Sequence, residues 1–292
     1  MGYATTILSL AGLNVLFALS VYITFAIGQF SLAQVGFWAL GAYGTAMLTT
    51  LWGWPLWPAL LASGGVCALL GIALGYPCLR LRGFYLALAT LGFSETVRVL
   101  FQNLEYQIPL KGVPSGPSGV LGFRNVAVTT GIWDIFGFML VLVILLVWLN
   151  HSRIGLAVAA TREDDVVAPF MGINIVFAKV AAFMLAAMAA GIGGGLYAGF
   201  TSYISPDDFG FHMTLLGILF VAIGGTRTFY GPMLAAAILT VLPEFFRFLA
   251  EYRLIFYGAL VVVLMTLRPR GLIDERVDAA VRRWFARKPR EA

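Results

Sequence analysis

The chain has 292 residues, 60% of them hydrophobic and 11% charged, with a formal net charge of +5 and a mean hydropathy of +0.90. Soluble proteins carry about 25% charged residues, so this composition excludes a soluble enzyme, a disordered tail protein and a disulfide-stapled secreted domain. No Asp, Glu, Lys or Arg precedes Arg80; lipid rather than water surrounds such a stretch, and the chain is predicted to be an all-α polytopic integral membrane protein.

A crossing helix needs roughly 20 apolar residues. Residues 5–27 qualify and are read as a retained first span, because they lack the basic start of a cleaved leader. Residues 32–51 are apolar but contain Gly36, Gly41 and Gly44, which leaves either a span or a broken segment. Further spans are predicted at 56–76, ended by Pro77, at 84–104 with Glu95 and Arg98 inside, and at 129–149. Residues 175–200 form a small-residue helix around Gly191 and Gly193-Gly194-Gly195, followed by 209–226 and 254–267. A shorter apolar piece, 231–243, ends at Pro243. About 8 spans are expected, within a range of 7–10 (the length rule being about 20 residues per span). They make a transmembrane domain over 1–272 and leave a tail at 273–292.

Charge orients the bundle. Residues 268–292 hold Arg268, Arg270, Arg276, Arg282, Arg283, Arg287, Lys288 and Arg290 against Asp274, Glu275, Asp278 and Glu291. With this tail cytoplasmic, Arg80, Arg82, Arg153, Arg162, Lys179 and Arg227 also fall inside. Lys111, Arg124, Arg247 and Arg253 fall outside, as the positive-inside rule requires. The amino terminus is then extracytoplasmic. Val277, Val281 and Trp284-Phe285 alternate with basic residues in an interfacial amphipathic pattern suited to anionic lipids. Nucleic acid is not the expected partner, since no soluble domain surrounds the basic stretch. Cys67 and Cys78 lie in or beside one apolar run and receive no redox role; His151 and His212 are too few and too scattered for a metal site.

Four segments stand out. In Gly28-Gln29-Phe30-Ser31-Leu32-Ala33-Gln34 a glycine interrupts the apolar pattern, and Ser31 with Gln34 fits a helix start whose side chains satisfy free N–H groups. Such an end inside a membrane can receive a ligand; a plain inner turn is the other reading. Glu95 and Arg98, spaced i,i+3, face either a functional cavity or each other, and Thr90 lies five residues before Glu95. The inner loop from Arg153 through Arg162-Glu163-Asp164-Asp165 to Gly172-Ile173-Asn174 carries a short helical pattern and a breaker at Pro169. It either caps the bundle or inserts a helix into a partner. Gly224-Gly225 and Gly231-Pro232 frame a tight inner turn, and the outer side offers a Gly/Pro/Ser-rich loop at 111–122 and a turn at Ser205-Pro206-Asp207-Asp208. Ala39 to Gly44 also faintly echoes Gly193 to Gly199.

These segments resemble the permease subunits of ABC importers for branched-chain amino acids, and the LivM-type subunit more than its LivH-type partner. The resemblance runs through Gly28-Gln29-Phe30-Ser31-Leu32, Leu79-Arg80-Leu81-Arg82-Gly83-Phe84-Tyr85-Leu86-Ala87 and Thr90-Leu91-Gly92-Phe93-Ser94-Glu95. It continues through Arg162-Glu163-Asp164-Asp165, Gly172-Ile173-Asn174, Ala189-Ala190-Gly191 and Gly231-Pro232 to Arg268-Pro269-Arg270-Gly271-Leu272. It implies a transport subunit of a bacterial inner membrane with no cofactor and no ATPase site of its own. The implied partners are a second, LivH-type permease, two cytoplasmic ATP-binding ABC subunits and an extracytoplasmic amino-acid-binding protein. On this reading Gln29, Ser31, Thr90 and Glu95 belong to the substrate path, and Arg162, Glu163, Asp164, Asp165 and Gly172 to the loop that couples to the ATPases. Urea or short-chain amide permeases of the same family are the alternative, and a stand-alone secondary transporter or channel is the alternative of another class.

Overall fold

The computed structural model describes residues 2–245 apart from 79–80, 82, 111–112, 164–167 and 173. The expected span at 254–267 and the basic tail lie outside the described residues. In chain order the helices are α1 (Tyr3–Ala26), α2 (Gln34–Thr50), α3 (Leu56–Cys78) and α4 (Phe84–Asn103), then α5 (Ile132–His151), α6 (Arg153–Glu163), α7 (Ile175–Thr201), α8 (Phe211–Gly224) and α9 (Tyr230–Phe245). In lipid every backbone N–H and C=O must be paired within the segment, so long apolar runs can only be helices. Five helices, α1, α3, α4, α5 and α7, are long and apolar enough to cross a membrane. The shorter α2, α8 and the described part of α9 complete an all-α polytopic bundle.

Helix α2, with 17 residues, extends about 25 Å at about 1.5 Å per residue, short of the ~30 Å hydrocarbon core. It survives because it sits inside the bundle, with Phe37, Ala42, Tyr43 and Ala46 fully buried. Its main neighbour is α7, which also packs against α3. The faint echo noted between Ala39 to Gly44 and Gly193 to Gly199 coincides with this crossing. A Cβ on Gly41 would overlap the Gly191 carbonyl, and one on Gly194 would overlap the carbonyl of Trp38. Close approach of two backbones is the usual means of helix association in lipid, where apolar side chains gain nothing by leaving the hydrocarbon. The Tyr43 ring stacks on Phe101 of α4 with centroids 4.0 Å apart, and Phe17 of α1 meets Trp38 edge-on at 5.2 Å.

Several boundaries differ from the sequence reading. Helix α3 continues through Pro77 to Cys78, and α9 passes Pro243. The outer loop is not irregular. Strands β1 (Ile108–Leu110), β2 (Val113–Pro117), β3 (Phe123–Arg124) and β4 (Tyr203–Ile204) pair antiparallel in that order, so the α4–α5 connection is tied to the end of α7. Their Gly and Pro content hides strand character from any propensity rule. The pairing is made possible at Gly122, whose φ of +75° brings the backbone against Ile204, where a Cβ would overlap the carbonyl.

Candidate functional site

The interruption after α1 is a helix C-cap clamped from a distance. Gly28 adopts φ +80°. Its N–H donates to Phe25 O (3.0 Å) while the Gln29 N–H donates to Thr24 O (3.0 Å), the two bonds of a glycine-terminated helix end. The expected reciprocal cap between Ser31 and Gln34 does not form. Ser31 Oγ accepts from the Ala33 N–H (3.3 Å), and Gln34 Nε2 instead donates back to Thr24 Oγ1 (3.3 Å). The start of α2 is held by α4. Thr90 Oγ1 accepts from the Leu32 N–H (2.9 Å), and Ser94 Oγ donates to Leu32 O (2.9 Å) and accepts from the Gly36 N–H (3.2 Å). Gln29, Ser31 and Thr90 are thereby brought close and buried, and Oε1 of both Gln29 and Gln34 lacks a partner among the described residues. The i,i+4 spacing of Thr90 and Ser94, not singled out in the sequence, could have signalled this clamp, but only the tertiary structure shows where it points.

Glu95 lies five residues beyond Thr90, on a different face of α4, and joins a different group. Its carboxylate accepts from Arg98 Nε (2.8 Å), while Arg98 Nη1 (3.1 Å) and Gln102 Nε2 (3.0 Å) reach Asp207 in the turn after β4. The four side chains pin α4 to the outer turn. The Pro206–Phe209 turn is itself capped by Asp208 Oδ2, which accepts from the Ser205 N–H (2.9 Å). Beside it opens a cavity of about 330 Å³. Asn14, Asp207, Asp208 and His212 contribute to its polar lining, Leu13, Met213 and Leu216 to its apolar wall, and Trp38, whose buried Nε1 has no partner among the described residues, also lines it.

At the opposite end lies α6. Ser152 ends α5 and starts α6, its Oγ accepting from the Gly155 N–H (3.3 Å). Asp164 and Asp165 fall outside the described residues, and Glu163 closes α6. Gly172, at φ +79°, ends the 3-10 turn Ala168–Met171, and Asn174 caps α7 through Oδ1, which accepts from the Phe177 N–H (3.0 Å). Arg162 Nη1 donates to Thr226 O (3.4 Å), joining α6 to the turn before α9. Leu156 of α6 and Phe170 of the connection to α7 stand 71% and 87% exposed among the described residues.

A bundle of long apolar helices, with an interrupted buried pair, polar groups at the break and a short half-buried helix at one end, fits a membrane permease. The chain matches, over residues 3–265, the family described as branched-chain amino acid transport system / permease component, and it belongs to that family. It is 34% identical over 291 residues to the high-affinity branched-chain amino acid transport system permease protein LivM of Salmonella typhimurium strain LT2, and equally to LivM of Escherichia coli strain K12. The alignments cover 90% of this chain and 66% of each relative, so the chain spans just under two thirds of the relatives' length. No solved structure matches it.

Proposed function

We propose that the chain is a membrane-spanning permease subunit of an ATP-driven importer and forms part of the path for leucine, isoleucine and valine. The observation that carries this reading is the 34% identity to LivM across 90% of the chain. The outer cavity supports it, since carboxylates beside an aliphatic wall suit the ammonium and side chain of a branched-chain amino acid. Urea needs neither. Gln29, Ser31, Thr90 and Glu95 are proposed to line the path. The buried amide oxygens near the helix break are acceptors available to a passing ligand.

In this scheme the substrate arrives on an extracytoplasmic binding protein, and a LivH-type permease completes the path. Two cytoplasmic ABC subunits hydrolyse the ATP, and this chain has no ATPase site. Arg162 to Gly172, with α6 and Phe170, docks on those subunits, and their closure rocks α5 and α7 between outward-open and inward-open arrangements. In a bacterial inner membrane the amino terminus lies outside and the basic tail inside, against anionic lipid.

The test is uptake into liposomes holding this chain, its partner permease, the ATPases and the binding protein. ATP-dependent entry of labelled leucine is expected, with urea and a polar amino acid excluded. Entry of urea alone would move the substrate, and entry without the ATPases would sink the subunit assignment.

A further inference from the structure

Two cavities adjoin at the inner end of the bundle. One, of about 370 Å³, is lined by Asn150, His151, Arg162, Arg227 and Thr228 among others. The next, about 330 Å³, is walled by Leu145, Leu149, Phe177, Ala181 and Leu185. They share Tyr22, Ala26, Asn150, Gly155 and Val158, so a single ligand can occupy both. Thr228, only 8% exposed, has a hydroxyl with no partner among the described residues. Two guanidiniums, a buried hydroxyl and an imidazole make a receptor for an anionic oxygen cluster. Beyond the shared Tyr22 and Asn150, the second cavity is lined by apolar side chains. Phe177 in its lining is 66% exposed, as expected of a surface that meets acyl chains.

We propose that this composite groove binds one anionic phospholipid of the inner leaflet, its phosphate between Arg162 and Arg227 and an acyl chain between α5 and α7. The charge complementarity at one end and the apolar wall at the other select this occupant over a zwitterionic lipid, whose ammonium meets two arginines. Because Arg162 ends α6 and Arg227 lies in the turn before α9, the bound phosphate ties the inner helix to the body of the bundle. The inference rests on membrane embedding and on this end facing the cytoplasm, and not on the identity of the transported solute.

The full chain is reconstituted in vesicles of phosphatidylethanolamine and phosphatidylglycerol, released in mild detergent, and weighed by native mass spectrometry. Wild type is expected to retain one phosphatidylglycerol, and Arg162→Gln and Arg227→Gln each to reduce retention by about fivefold. Arg162→Lys keeps most of it. Ala181→Phe, which fills the apolar cavity while leaving both charges, is expected to displace the lipid as well. Thermal unfolding of each variant establishes that it is folded. Equal retention by wild type and the glutamine variants overturns the proposal. So does retention unaffected by Ala181→Phe, which leaves only a headgroup site. Displacement by inorganic phosphate or by leucine assigns the groove to a small anion or to departing substrate and also overturns it. None of these outcomes depends on uptake, so the proposal and the transport reading fail separately.

Discussion

Thr90 and Ser94 show how few atoms hold the break between α1 and α2. Leu32 would otherwise present a buried N–H and C=O with no helical partner, and an unsatisfied buried group costs about 1–3 kcal/mol. Thr90 supplies the acceptor at 2.9 Å while donating its own proton to Leu86 O at 2.8 Å. Thr90→Val preserves shape and removes both bonds, so it is expected to lower stability by about 1–3 kcal/mol. Thr90→Ser should lose little. Unfolding midpoints in detergent separate the two, and a valine variant as stable as wild type would show that the hydroxyl carries no structural duty. Glu95 belongs to the same scale. Its carboxylate pairs with Arg98 at 2.8 Å and stays 36% exposed, so the ion pair forms without closing the carboxylate off from the proposed path.

The interface of α2 and α7 is a contact between elements in which glycine acts through what it lacks. A methyl on Gly194 would collide with the Trp38 carbonyl, a rigid neighbour that cannot rotate away. Gly194→Ala is therefore expected to cost about 1–3 kcal/mol or more as the helices separate. Gly92 of α4, which has no atom within 4 Å of an added Cβ, is the matched control. Gly92→Ala should leave the unfolding midpoint unchanged or raise it. Equal effects would mean that helix propensity, not close approach, governs the response. The inner loop is a second element-scale device. Ser152, Gly172 and Asn174 set the directions of α6 and α7, and Phe170 is left exposed between them.

At the scale of the whole molecule, the chain places the short helix α6 at the end where α1 and α5 finish and α7 begins, and the β-paired loop at the other. The orientation that puts α6 in the cytoplasm is tested by labelling. Native Cys67 and Cys78 are buried, so a single new cysteine reports alone. Phe170→Cys is expected to react with an impermeant maleimide only in inverted vesicles, and Trp52→Cys, 71% exposed in the wild-type residue, only in right-side-out ones. The reverse pattern would invert the topology and remove the cytoplasmic setting of the proposed lipid groove.

Composition and order along the chain were enough to determine a polytopic helical membrane protein, because lipid allows one local solution for an apolar backbone and one address for most basic residues. The interruption at Gly28 and the short helix ending at Glu163 were also legible, since both are written in local breakers and charge. The tertiary structure decided the rest: that Thr90 and Ser94 cap α2, that Ser31 and Gln34 do not cap each other, and that Arg98 reaches Asp207. It also paired a Gly/Pro-rich loop into strands and merged two cavities beside α6. The clamp on α2, the Arg98–Asp207 pair and the β3–β4 pairing join residues far apart in the chain, and hydrogen-bond partners at that separation are chosen by packing, which no local periodicity records.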